Sequence, residues 1–376
     1  MNLDKISLIF PIYKNAPYLE ENIRKILEDD YPNNLKEIIL TVDAPTEEFL
    51  NKLKEIKEKY KNNIKIILSR ERRGKVSAIN DAVKYSTGNI LIFFDSDAII
   101  DYINIKKAVE EINKYGTVEF YKEIIRKGWI SKMMHIEYSL YFDVLSKILN
   151  REKFSFGLNG AAFGTKREIW EKVGGYTKVY VEDLDFALKV QEAGSKIYVS
   201  KSIMIRIEPL KDFKSLVEQK KRWVFGVVET LLNHLEFLIR IFIEHPITSI
   251  LIILLFWLPY IIWLYIYIFV PISFLYSYSI KLYETLTNNV SIIYLLILKP
   301  ISVYNFLYSL YIVGIYILVT TLYVYIIITI SKRKIYNPLY FFLFSIIYIT
   351  LYEILLIYVL LYYVIFEKAP KMNWKV

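Results

Sequence analysis

In GNILIFFDSDAII, residues 88–100, an apolar run closes on two carboxylates one residue apart, Asp95 and Asp97, before the chain turns apolar again. Two acids at i and i+2 beyond a buried strand can jointly meet a divalent cation. Mg2+ is typically held by one or two protein carboxylates, with phosphate oxygens and water completing its shell. A cation held there would neutralise charge on a leaving diphosphate, which is electrostatic catalysis. The pair has other uses. A calcium loop would need further oxygen ligands and a glycine at its sixth position, and DSDAII supplies neither. A phosphatase motif also takes the form D-x-D after a strand, but with Thr or Val at its fifth position, where this chain has Ile99. The plainest alternative is a strand-end turn solvated by two acids, and D-x-D alone does not exclude it.

The elements that must position these acids are legible in the first 200 residues. ISLIFPIY (6–13), EIILTVD (37–43), IKIILS (64–69) and ILIFFD (90–95) are continuous in Ile, Leu, Val and Phe, as strands covered on both faces are. Between them, APYLEENIRKILEDD, TEEFLNKLKEIKEKYK and GKVSAINDAVKYS carry helical patterns. This β-α-β-α order predicts a mostly parallel sheet with helices on both faces. Ligands of such sheets sit beyond the carboxyl ends of the strands. Tyr13, Asp43 and the Asp95/Asp97 pair all lie at such ends.

Charge divides the 376 residues in two. Residues 246–376 hold eight of the 48 Lys/Arg and three of the 39 Asp/Glu, so a charge-rich part precedes a charge-poor one. The net charge of +9 is too diffuse for nucleic acid, and no Arg-rich helix or zinc knuckle supports one. Basic residues near apolar helices are better matched to anionic lipid headgroups. The chain has no Cys, which excludes disulfides and thiolate chemistry, and His135, His234 and His245 lack ligand spacing. The N-terminal stretch has one short apolar run, broken at Pro11, and no small-residue cleavage site, so the charged part is expected to face the cytoplasm.

Residues 226–244 place Val228, Leu231, Leu232, Leu235, Leu238, Ile239 and Phe242 on one helical stripe, with polar residues opposite. With QKKRW just upstream, this is either a helix lying on a membrane surface or a soluble helix packed on the sheet, and the apolar stretches that follow favour the membrane. Apolar stretches over 247–280, 301–330 and 335–366 each exceed the ~20 residues needed to span a bilayer. Three spans are expected, with SIIYLLIL (291–298) either re-entrant or part of a fourth as the alternative. The SKRK cluster at 331–334 favours a cytoplasmic loop, whereas the lysines of the C-terminal tail argue for the opposite arrangement. Glu353 falls inside the last span, where an ionisable group is either functional or hydrogen-bonded to a neighbouring helix.

Further motifs accompany D-x-D. RRGKVSAIN (72–80) precedes it, and GLNGAAFGTKREIWEKVGGY (157–176), VEDLDFALKV (181–190) and QKKRW (219–223) follow. In this order, over roughly residues 5–225, the set resembles the membrane-bound family 2 glycosyltransferases, the group containing cellulose, chitin and hyaluronan synthases and ceramide glucosyltransferases. The resemblance implies an α/β nucleotide-sugar-binding domain of the GT-A type over 1–210. It implies interfacial amphipathic helices over 211–245 and a transmembrane helical region over 246–376.

The resemblance also implies roles. Pro11 and Tyr13, in FPIYKNA, would contact the nucleotide, and Asp43 its uracil or ribose. Family members often carry two acids where this chain reads TVDAPT, which puts base specificity in doubt. Lys75 would approach the diphosphate, with Gly74 allowing close backbone passage, or it is a solvated helix-start residue. Asp95 and Asp97 would hold Mg2+ or Mn2+, with Asp95 beside the donor. Asn159 and Gly160 would lie beneath the acceptor, although a structural role suits the glycines nearly as well. KVGGY reads as a helix stop. Glu182-Asp183 matches the family's E-D pair, in which Asp183 would be the general base for an acceptor hydroxyl. Acids also enrich first helical turns through the dipole, which is the rival reading. Gln219, Arg222 and Trp223 match Q-x-x-R-W, with Arg222 on the diphosphate and Gln219 and Trp223 facing the acceptor. Lys220 departs mildly from the family's Gln or Arg, and an interfacial helix with a Trp anchor accounts for the same residues.

The implied function is inverting transfer of a sugar from a nucleotide sugar, UDP-linked by expectation, to a lipid or polyprenyl-phosphate acceptor at the cytoplasmic face of the cell membrane. A processive polysaccharide synthase acting on a growing glycan is the alternative. Three spans are few for a secretion channel unless a homo-oligomer builds it. A non-catalytic nucleotide-binding membrane scaffold is the third reading.

Overall fold

The computed structural model describes residues 3–151, 157–247, 249–250, 314, 317–329, 331 and 337–366. The four expected strands are all present as β1 (Ile6–Tyr13), β2 (Lys36–Asp43), β3 (Ile64–Ser69) and β4 (Ile90–Phe94). They are joined through α1 (Leu19–Glu28), α2 (Glu47–Lys59) and α3 (Lys75–Tyr85). All pairings among these strands are parallel, and the register sets Tyr13 beside Asp43 and Asp43 beside Ser69. Three strands therefore end at one level, and their polar terminal residues share one edge.

The apolar return after Asp97 is a further strand. β5 (Ala98–Ile103) leads to α4 (Ile105–Tyr115), β6 (Gly116–Ile124) and α5 (Trp129–Ser139). A π-helical turn over Leu140–Leu145 and α6 (Ser146–Leu149) come next. β7 (Ala162–Lys166), α7 (Arg167–Lys172), α8 (Glu182–Glu192) and β8 (Lys196–Ile207) complete the layer. The eight strands lie in the order β3-β2-β1-β4-β7-β6-β8-β5. Parallel pairings outnumber antiparallel ones, and the antiparallel ones all involve β5 or β7. The expectation of a mostly parallel sheet holds, with a parallel first half and a mixed second half.

Alternation along the strands divides the core between two faces. Ile6, Leu8 and Phe10 of β1 face one way with Ile38, Leu40, Ile92 and Phe94. Ile9, Ile39, Leu91 and Phe93 face the other, against Phe163, Trp170 and Phe186. The Phe93 ring stacks 4.6 Å from Phe163 and 4.8 Å from Trp170. Burial of each such side chain is worth about 1.5–3 kcal/mol.

The chain divides into two compact units, Met1–Ile239 with Leu355–Val376, and Arg240–Ile354. The first extends past residue 210 and takes in α9 (Phe213–Asn233). The single helix expected over 226–244 is two: α9 ends at His234, which leaves helical geometry at φ −111°, and α10 (Leu235–Glu244) restarts beyond it. The amphipathic stripe survives the break, with Leu232, Leu235, Ile239 and Phe242 exposed.

Among the described residues, one helix, Pro338–Phe366, is long and apolar enough to cross a membrane, at 29 residues and a mean hydropathy of 2.2. Within the first unit its C-terminal end meets α9, where Phe225 lies edge-on to Tyr358 at 5.8 Å and Tyr362 at 5.9 Å. Most of the expected span over 247–280, the segment 291–298, most of 301–330 and the lysine-bearing tail fall outside the described residues. Glu353 is 7% exposed on this helix.

Candidate active site

β1 and β2 both hand over to left-handed backbone at non-glycine residues, Lys14 at φ 63° and Ala44 at φ 45°. Such conformations cost about 1–3 kcal/mol and cluster where a site requires them. Here they let the Lys14 N–H donate to the Asp43 carbonyl (3.1 Å) and the Ala44 N–H to the Ser69 carbonyl (2.9 Å). The Tyr13 ring is 38% exposed at this edge, with the Arg72 guanidinium 4.3 Å from its centroid. Asp43 is 3% exposed and fully engaged. Its carboxylate accepts from the Arg73 N–H (2.7 Å), the Arg73 Nε (2.9 Å) and the Gly74 N–H (3.1 Å). It thus fixes the loop that launches α3. Pro11 lies two residues inside the edge, opposite Thr41.

Gly74, at φ 90°, turns the chain so that Lys75 opens α3 facing two acids distant in sequence. Its Nζ lies 2.8 Å from Asp95 Oδ1 and 3.4 Å from Glu182 Oε1. Burial opposes the charge on Lys75, but Asp95, Glu182 and Asp183 outweigh it and hold the ammonium above the ordinary lysine range. Lys75 therefore ties the D-x-D turn to the E-D helix start. Asp95 is also pinned through its backbone, its N–H donating to the Ala161 carbonyl at 2.9 Å. Asp97 keeps an exposed edge, yet surrounding protein and the Asp95 charge both raise its carboxyl pKa. Among the described residues no group of three or more His, Asp or Glu could hold a metal ion by itself. Two hard carboxylates with one exposed flank still fit an Mg2+ or Mn2+ ion whose remaining ligands are phosphate and water oxygens.

Asp183 sits in the first turn of α8. Its Oδ2 accepts from the Gly160 N–H at 2.7 Å and its Oδ1 from the Leu184 N–H at 2.9 Å. Burial and the Glu182 charge push its carboxyl up to about 6, against the opposing pull of Lys75 and those two amides. Gly160 leaves little room for a side chain. A Cβ there would stand 3.1 Å from both Cβ and Oδ2 of Asp183 and 3.3 Å from the Tyr176 hydroxyl. Asn159 builds the same loop, its Oδ1 accepting from the Ala161 N–H (3.1 Å) and its Nδ2 donating to the Tyr138 hydroxyl (3.3 Å).

α9 carries Gln219, Arg222 and Trp223, and none of the described contacts ties Gln219 or Arg222 to the acid cluster. The motif is held through its unexpected member. Lys220 is fully buried, 2.7 Å from Glu137 of α5 and 3.9 Å from the centroid of the Trp223 ring. Burial lowers its pKa and Glu137 opposes the fall. One turn on, Gly226 lets α9 lie directly against Tyr180 and Val181, the residues leading into Glu182. A Cβ at 226 would fall 2.2 Å from Val181 Cγ2 and 2.8 Å from Tyr180 Cβ.

At the end of α9 the His234 ring bridges two acids of α8, with Nε2 3.1 Å from Asp185 and Nδ1 2.8 Å from Glu192. Asp185 also meets Thr177 and Lys189. Burial opposes protonation of His234, but the bonds to Glu192 and Asp185 prevail and raise its pKa. The stabilisation is fully present below the unfolded value of about 6.5 and is lost as pH rises through the raised folded value. Amide-exchange protection around residues 230–238, corrected for intrinsic rates, should therefore fall between pH 6 and pH 9. In His234→Gln it should be weak at both; a wild-type-like pH dependence in that variant would refute the bridge.

Several of these residues give little sign of themselves in sequence. Glu119 and Lys122, charged residues of β6, are both fully buried. Gly226 is a lone glycine inside a helical pattern, a hint of close packing. Tyr176, in KVGGY, is 3% exposed with a buried hydroxyl beside Asp183 and Glu182, whose charges, after burial itself, hold it well above the ordinary tyrosine range.

Together these features define an α/β domain with an acidic site at the carboxyl edge of its sheet, bridged by one lysine. Residues 7–173 match the model of the family described as Glycosyl transferase family 2. The chain is 23% identical over 240 residues to the probable glycosyltransferase YdaM of Bacillus subtilis, covering 60% of this chain and 55% of that protein. It is 25% identical over 236 residues to the poly-beta-1,6-N-acetyl-D-glucosamine synthase of Staphylococcus aureus, covering 61% and 56%. It thus spans little more than half the length of these relatives. The solved mannosyltransferase PcManGT from Pyrobaculum calidifontis aligns with 62% of this chain and 64% of its own, at 20% identity and a TM-score of 0.48.

Proposed function

We propose that the chain is an inverting membrane glycosyltransferase that moves a sugar from a nucleotide sugar, UDP-linked by expectation, to a lipid or polyprenyl-phosphate acceptor at the cytoplasmic membrane face. The observation that carries this reading is the Lys75 bridge, 2.8 Å from Asp95 and 3.4 Å from Glu182, which joins the D-x-D and E-D motifs at one place. The match of residues 7–173 to the family 2 model supports it. Tyr13 and Arg72 offer a flat platform for the nucleobase, with Asp43 holding the loop beside it. Lys75 and Arg222 face the diphosphate. Asp95 and Asp97 would hold a divalent cation, which when bound would supply charge neutralisation on the leaving diphosphate. Asp183 takes the proton of the acceptor hydroxyl, and direct attack by that oxygen inverts the anomeric centre. Trp223 and Gln219 border the acceptor, and α9–α10 rest on the membrane surface.

A second reading, processive synthesis of a polysaccharide, is favoured by the similarity to a relative described as a poly-beta-1,6-N-acetyl-D-glucosamine synthase. Membranes containing the full chain, incubated with radiolabelled UDP-glucose, UDP-N-acetylglucosamine or GDP-mannose, separate the two. Label extracted into organic solvent supports the lipid acceptor. Solvent-insoluble polymer supports the synthase, and no label in either fraction with any donor sinks both. Asp97→Asn should weaken binding of the active donor about tenfold or more and remove its dependence on Mn2+. Equilibrium dialysis with and without Mn2+ tests this, and unchanged Mn2+-dependent binding would remove Asp97 from the metal set.

A further inference from the structure

We propose that the buried Glu119–Lys122 pair of β6 positions the proton acceptor of this enzyme, by holding the Asn159–Gly160 loop whose next amide grips Asp183. The inference rests on Asp183 being the base in the proposed reaction. Both members of the pair are fully buried, with Nζ 3.1 Å from Glu119 Oε1. Residues three apart on a regular strand point to opposite faces. The register against β8 shifts between Phe120 and Tyr121, whose partners are Ser200 and Met204, so the additional residues lie on β8. The Lys122 side chain nonetheless reaches Glu119. It also donates to the Phe120 carbonyl at 2.9 Å and lies 5.0 Å from the centroid of the Phe142 ring.

Glu119 is saturated by donors from three directions. Besides Lys122, it accepts the Tyr141 hydroxyl at 2.7 Å and the Asn159 N–H at 2.9 Å. Tyr141 belongs to the π-helical turn, an irregularity that is frequent at functional sites. The geometric output is a relay of consecutive amides. Asn159 N–H is fixed by Glu119, and Gly160 N–H, one residue on, is fixed on Asp183 Oδ2 at 2.7 Å. A rotation that frees the first bond misdirects the second. Stability does not explain the pair, because a buried ion pair can often be replaced by apolar residues of similar volume at no cost. The charges reach the base as well. Burial lowers the Lys122 pKa, Glu119 opposes this most strongly, and Asp183 and Asp95 add to that opposition. By reciprocity the Lys122 charge favours the ionised form of Asp183, alongside Lys75 and against Glu182.

The test uses the full chain in membranes or detergent, with Glu119→Gln, Lys122→Met and Tyr141→Phe each made alone and in combination with Asp183→Asn. In every background, the melting temperature with Asp183 intact is compared with that of the matching Asp183→Asn variant across pH 4–9. Their difference reports the titration of Asp183 without any substrate. The midpoint should rise in Lys122→Met, by about one pH unit. With the active donor, kcat should fall about tenfold or more in Glu119→Gln and Lys122→Met and less in Tyr141→Phe, while the donor KM stays within about twofold. An unmoved midpoint and unchanged kcat in folded Lys122→Met and Glu119→Gln overturn the inference. Where either fails to fold, the Glu119→Gln/Lys122→Met double variant, which buries no lone charge, and Tyr141→Phe decide by the same criteria. Turnover in Asp183→Asn would instead sink the reading of the base, and the inference with it.

Discussion

Asp183→Asn is expected to cut transfer sharply, through loss of the proposed base, while leaving the protein more stable than before. An asparagine still accepts the Gly160 N–H, made at 2.7 Å by the carboxylate, but it takes no proton. Loss of a general base lowers kcat by about 10²–10⁴-fold, with donor binding largely retained. The stability gain follows from the raised carboxyl at about 6. A folded-state pKa above the unfolded value means that ionisation of Asp183 costs stability. The cost is absent below about pH 4, grows through the interval to about 6, and is complete above it. The variant should therefore gain about 1–3 kcal/mol at pH 7–8 and nothing at pH 4. Wild-type kcat should fall on the acid side with a midpoint near pH 6. Measuring melting temperature and kcat over the same pH series checks both halves. Turnover in the variant, or a stability difference indifferent to pH, would remove Asp183 from the role of base.

Gly226→Ala carries the next largest effect, although it touches no reacting group. The added methyl would stand 2.2 Å from Val181 Cγ2, 2.8 Å from Tyr180 Cβ and 3.1 Å from the Val181 nitrogen. Carbon contacts settle at about 3.5–4.0 Å, so α9 must withdraw or residues 180–181 must yield. Overpacking of this kind costs about 1–3 kcal/mol. Either movement shifts Arg222 and Trp223 against Glu182 and Asp183, and a displacement of about 1 Å can cost about 10²-fold in rate. The expected result is a lower melting temperature and a kcat reduced by about that factor, with secondary structure intact by circular dichroism. Val181→Ala in the same chain removes the closest contact and should restore part of both. Full activity in Gly226→Ala alone would show that the contact between α9 and the α8 start does not set the site.

These two residues mark how far the sequence could be read. Asp183 was accessible because its neighbours in sequence, Glu182 and the helix that follows, form a pattern that survives without coordinates. The same is true of β1 to β4, whose unbroken apolar runs announce strands covered on both sides. Residues 116–124 are harder. GTVEFYKEI carries Glu119, Lys122 and Glu123, as a half-exposed strand would, yet Glu119 and Lys122 are fully buried and paired with each other. Periodicity carries no information about such a pairing. The role of Asp43 was legible as a place but not as a contact. Its position at the edge followed from strand length, whereas its engagement with Arg73 and Gly74 depends on how a loop 30 residues later returns. His234 divides what reads as one amphipathic helix, and only the acids of α8 explain why a break is tolerated there.

The loop over 157–161 has a consequence for how substitutions combine. Its Gly160 amide holds Asp183, while its Ala161 carbonyl accepts the Asp95 N–H at 2.9 Å. The same five residues therefore anchor both the acid proposed for the donor side and the acid proposed as base. A change there is pleiotropic, and its effects on the two substrates are not separable measurements. Pairs of mutations spanning the loop, one near Asp95 and one near Asp183, should show strong epistasis although the two acids are remote in sequence. Directed changes of acceptor preference that pass through residues 157–161 would then be bought with donor affinity.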